Sequence, residues 1–125
     1  MVVNHFPEVV NPVREGDTYY WKHNTAIMYA DDELTIVEFG AYIYYNDHWN
    51  LRVAHTPNEM DKFFGTQNQL MKRAQPYTWT NNWRTGGDLF AGWALWYFIG
   101  KTPDGTMVCG YQTLHTTDSL LNSKS

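Results

Sequence analysis

The chain is 125 residues long with a formal net charge of −4, 43% hydrophobic residues and 18% charged ones. That length holds one domain with a real core, and the composition excludes a disordered chain. The longest basic run is Lys72-Arg73 and the longest apolar run, 93–99, is strand-sized, so nucleic-acid binding, an anionic-membrane footprint and a transmembrane helix are set aside.

Aromatic residues are the outlier, with six Trp, nine Tyr and six Phe making up 17% of the chain. Such rings bury large areas and favour strands, which points to a β fold, and the same surplus would furnish a site for sugars or flat apolar ligands. Cys109 is the single cysteine, so no internal disulfide forms, and a lone thiol in an apolar strand reads as an inert core residue. Residues 1–16 contain no apolar run of the signal-peptide kind, which tilts localisation towards the cytoplasm.

Pro7 and Pro12 make 1–16 an extended arm. From 18 to 29 the pattern alternates, with Tyr19, Trp21, His23, Thr25 and Ile27 on one face and Lys22 and Asn24 on the other. Asp31-Asp32 marks a turn. A second strand over 34–45 puts Val37, Phe39, Ala41 and Ile43 on one face and Glu38, Tyr42 and Tyr44 on the other. After the Asn46-Asp47 turn, a third strand over 49–55 points Trp49, Leu51 and Val53 inward.

The period then changes. Thr56 as N-cap, Pro57 at N1 and Glu59 at N3 start a helix that runs through Phe63-Phe64 and stops at Gly65. A second short helix is expected over 67–74, closed by Pro76. Strands follow at 77–84, at 92–101 (apolar enough to be covered on both faces) and at 106–115, with Thr102-Pro103-Asp104-Gly105 as the strongest turn. Residues 116–125 read as a polar tail. The expected architecture is therefore one mainly β domain over 1–125, an antiparallel meander of about six strands forming a small barrel or sandwich, with a helical insertion between strands three and four.

Pairing these strands through short loops sets His23 beside Phe39 and Phe39 beside His55, while the last hairpin pairs Trp93 with His115 and Tyr97 with Tyr111. Candidate acid–base residues are His23, His55 and Glu38. Glu38 also has a plainer role, pairing with Lys22 or Arg52 on an outer face. His23, His55 and His115 are the candidate metal ligands, but none sits two residues from another, so no metal and no cofactor is expected. Trp79, Trp83 and Arg84, with Asn81 and Asn82 between them, form a cluster suited to stacking on sugar rings or planar ligands, whose plain alternative is core anchors and turn formers. Trp21, Trp93 and Tyr97 join them as candidate ligand-binding residues.

Gly86-Gly87 is followed by no phosphate-loop lysine, and no G-x-S-x-G or H-E-x-x-H is present. A small-molecule or glycan binding module comes first. An enzyme using His23, His55, Glu38 or His115 in the same pocket is second. A protein–protein or regulatory subunit, with Tyr20, Tyr42, Tyr44 and Trp96 exposed and a homodimer as one outcome, is third.

Overall fold

The computed structural model describes residues 1–120, which are mainly β, with twelve strands and one short helix among them. In chain order these are β1 (Val2–Phe6), β2 (Val9–Val10), β3 (Val13–Glu15), β4 (Thr18–Trp21), β5 (Asn24–Met28), β6 (Leu34–Tyr45) and β7 (His48–His55). Helix α1 (Glu59–Phe64) follows, then β8 (Leu70–Met71), β9 (Tyr77–Trp79), β10 (Arg84–Gly86), β11 (Gly92–Lys101) and β12 (Met107–Thr116). The largest sheet runs β2-β12-β11-β6-β7, with β8 also on β6, and curls into a half-barrel. Two three-stranded sheets, β1-β5-β9 and β10-β4-β3, complete the fold.

The large sheet follows from strict alternation in β11 and β12. Trp93 pairs with His115 and Tyr97 with Tyr111 across that hairpin, while Phe98 pairs with Phe39 of β6, and Phe39 with His55 of β7. Two bulges break the period. Val37 is an extra residue in β6, because Ile99 pairs with Glu38 and Gly100 with Ile36. Leu34 and Ile36 therefore share the concave face with Phe39 and Ala41, and Val37 turns outward at 36% exposure. Arg52 is the extra residue in β7, because Ala41 pairs with Val53 and Tyr42 with Leu51. Beyond it Leu51 and Trp49 point away from the core, not towards it as the alternation had suggested.

Two cores fill the concave side. The first joins Val3, Ile27, Leu34, Ile36, Phe39, Met60, Phe64, Met71, Tyr77 and Phe98, and the second joins Val10, Trp21, Ala94 and Leu114. The opposite face of the sheet is open, with Tyr44, Trp49, Leu51, Trp93 and Tyr111 all exposed. So β11 is apolar on both faces yet covered on only one, which corrects the expectation of a doubly buried strand.

Several other expectations change. The arm is three strands, β1 on β5, β3 on β4 and β2 parallel to β12. The strand expected over 18–29 divides between β4 and β5, which enter different sheets, so His23 has no place beside Phe39. Likewise 77–84 divides into β9 on β5 and β10 on β4. No helix forms over 67–74, where Asn68, Gln69 and Ala74 adopt positive φ and the Asp61 carboxylate accepts from Thr66 Oγ1 at 2.6 Å and the Gln69 N–H at 2.8 Å. Helix α1 begins at Asn58 instead of Thr56. Glu59 still reaches back to the Thr56 N–H at 3.1 Å, and Gly65 ends the helix at φ 77. Thr116 is a fully buried end of β12, while 121–125 of the expected tail lies outside the described residues.

Candidate functional site

Between the two cores the curled sheet leaves a cavity of about 450 Å³. Its floor is apolar and comes from the sheet: Ala41 and Ile43 of β6, Val53 of β7, Ala94 and Trp96 of β11 and Leu114 of β12. Its roof is the stretch from Trp79 through Asn82, Trp83, Arg84 and Thr85, closed at one side by His23. Arg52 and His55 of β7 complete the wall.

Aromatic contacts make the wall rigid. Trp79 stacks flat on Phe63 at 4.3 Å and meets Trp96 edge-on at 5.3 Å. His55 lies between Phe39, at 4.8 Å, and Trp96, at 6.1 Å and parallel within 5°. The His55 Nδ1–H donates to Glu59 Oε2 at 3.0 Å; a carboxylate only accepts, so a proton sits on Nδ1. The Thr56 N–H and then His55 hold the Glu59 carboxyl below its ordinary value.

A hydrogen-bond relay fixes the roof. His5 Nε2–H donates to the Gln112 carbonyl at 3.1 Å, which leaves His5 Nδ1 to accept from Thr25 Oγ1 at 2.9 Å. Thr25 Oγ1 in turn accepts from Asn82 Nδ2 at 3.2 Å. Asn81, at φ 62, donates its N–H to Asn24 Oδ1 at 2.8 Å, so both asparagines of the turn are pinned to β5. His23 is the exception. Its Nδ1–H points at the Trp21 carbonyl at 3.4 Å, and its buried Nε2 has no partner.

The cavity carries two guanidinium groups and no carboxylate. Arg84 is half-buried and lies over the Phe90 ring at 4.2 Å, and Arg52 is exposed at the rim. Among the described residues neither has an ion-pair partner. Burial, and then the charge of Arg52, push the Arg84 guanidinium down to about 10. Outside the rim Lys22 sits over the Trp83 ring at 4.6 Å and pairs with Glu15 at 2.5 Å.

Of the residues singled out from sequence, the structure brings His23, His55, Trp79, Asn82, Trp83 and Arg84 to this cavity. It places the others elsewhere. Trp21 is wholly buried in the second core, tilted by 35° against Phe90 at 4.2 Å, with its indole N–H given to the Thr117 carbonyl at 2.8 Å. Trp93 and His115 stack on each other at 4.3 Å on the outer face, so the three candidate histidines do not meet. Tyr97 also faces outward and donates its hydroxyl to Glu38 at 2.5 Å, which removes Glu38 from the pocket and from Lys22 and Arg52. Among the described residues no group of three or more His, Cys, Asp or Glu side chains is placed to hold a metal ion.

Trp96 and Arg52 line the cavity although the sequence assigns both to an outer face. Trp96 belongs to the concave face by its pairing with Ala41 and Gln112, not to an exposed patch. Arg52 reaches the cavity only through the bulge, which no hydrophobic period announces. No family model, no curated protein and no solved structure matches this chain.

Proposed function

We propose that this protein binds a small ring-shaped molecule, a sugar or a flat apolar compound, in the cavity beneath 79–85. The observation that carries this reading is the set of Trp79, Trp83 and Trp96 around one cavity that also presents polar side chains of His23, His55, Asn82 and Arg84. Its volume, about 450 Å³, lies within the roughly 300–1,000 Å³ of small-molecule sites. In the same reading the two three-stranded sheets close the curled sheet into a small barrel about the ligand.

Titration of the full chain with a panel of monosaccharides and aromatic ring compounds, followed by calorimetry and tryptophan fluorescence, tests this. Trp83→Ala, at the rim, and Trp96→Leu, in the floor, are expected to weaken the best ligand about tenfold each while circular dichroism is unchanged. Saturable binding that neither variant weakens would remove the cavity from consideration.

A second reading, an enzyme, is favoured by one observation. His55 is oriented by Glu59 in the manner of a general base held by a carboxylate, and it lines the same cavity. Turnover of a bound compound that His55→Gln abolishes without weakening binding would move this reading to first place.

A further inference from the structure

We propose that the ligand of this cavity is a ring compound bearing an oxyanion, a carboxylate in the first instance, clasped between Arg52 and Arg84. The inference rests on the small-molecule reading of the same cavity and specifies its chemistry. The chain is acidic overall, yet two of its four arginines face one cavity whose lining contains no Asp or Glu. Neither arginine has an ion-pair partner among the described residues. Guanidinium groups so placed normally meet a carboxylate from the protein, because their forked donors match its two oxygens.

The backbone works to create this arrangement. Arg52 is the bulged residue of edge strand β7, and simple alternation from Val53 would have sent its side chain to the outer face. Bulges interrupt the ladder and re-aim a side chain, and here the re-aimed side chain is a cation at the mouth of the cavity. Arg84 is held from the other side, on β10, where its pairing with Trp21 fixes the strand. The two like charges work against each other, and burial works against Arg84. An oxyanion between them relieves both effects.

The buried polar atom without a partner states what else the ligand carries. His23 is 4% exposed, and its Nδ1–H is directed at a carbonyl, so the unpartnered Nε2 is an acceptor awaiting a donor. A ligand that satisfies the site has an acidic group for the arginines, a ring for the tryptophans and an O–H or N–H for His23. Sugar acids and hydroxylated aromatic acids both have that pattern.

The test titrates the full chain with matched pairs, glucuronate against glucose and 4-hydroxybenzoate against its methyl ester, with 4-hydroxyphenyl phosphate as a third oxyanion arm. The acid of one pair is expected to bind at least about tenfold more tightly than its neutral partner. Arg84→Gln and Arg52→Gln should each weaken the acid more than its neutral partner, bringing the ratio of the two affinities towards one. A phosphate preferred over the carboxylate supports the oxyanion site and assigns its chemistry. Equal affinity for acid and neutral partners, or arginine variants that keep the acid preference, overturns the inference while leaving the small-molecule reading intact. Absence of binding by every compound at millimolar concentration overturns both. Because Arg52 is exposed, Arg52→Gln carries the test should Arg84→Gln not fold.

Discussion

His23 shows how much one residue's surroundings decide. Burial pushes its imidazole down to about 4, against the Trp21 carbonyl, which raises it, and with the His5 ring, which lowers it further. Its ordinary value is 6.5. Above 6.5 the ring is neutral in both folded and unfolded chains, and stability is fully present. Between 6.5 and about 4 the unfolded chain takes up a proton that the folded chain refuses, so stability falls through that window as pH falls. At its full extent the loss is roughly 3 kcal/mol. His5 is shifted the same way, by burial first, and acts in the same direction. Urea midpoints at pH 7 and pH 5 should differ accordingly, and His23→Gln should reduce that difference; an unchanged difference would mean that other groups set the acid sensitivity.

At the scale of single elements, β6 carries the curl of the sheet. Gly40 lies where β6 passes between β7 and β11, and a methyl group there would drive into the Val53 carbonyl and stand 2.9 Å from Tyr97 Oη. Gly40→Ala is expected to cost about 1–3 kcal/mol in denaturant unfolding and to loosen the Phe39–His55 pairing beside the cavity, seen as weaker ligand binding. A variant with wild-type stability and binding would show that β7 can move aside. The central hairpins are legible in the sequence because alternation and short turns determine their partners: Phe39 with His55, Trp93 with His115, Tyr97 with Tyr111. Pairings between distant segments are not. Nothing in the composition of 1–16 tells that β2 lies along β12 or that β1 lies along β5, since those contacts depend on the finished fold. The bulges at Val37 and Arg52 are equally silent, and each inverts the faces that simple alternation assigns. The candidate site inherits this division. Trp79, Trp83 and Arg84 stand out as a cluster in the chain, whereas Trp96 and Arg52 become visible only once the register is known.

For the whole molecule, the cavity lies between two cores that face the same curled sheet, and its lining reaches both, through Trp79 and Trp96 on one side and Ala94 and Leu114 on the other. Native-state hydrogen exchange should therefore resolve the empty protein into two units, with amides of β5 and β9 opening separately from those of β4 and β10. Saturating ligand should bring the two opening free energies together, with an added stability of about 2.7 kcal/mol at a hundredfold excess over Kd. A single cooperative unit in the empty chain would contradict this. If the interior is completed from outside, as proposed, the unoccupied protein would offer proteases more frequent openings than the occupied one. Its abundance in a cell would then rise and fall with the supply of the compound it holds, and the chain would report that supply simply by persisting.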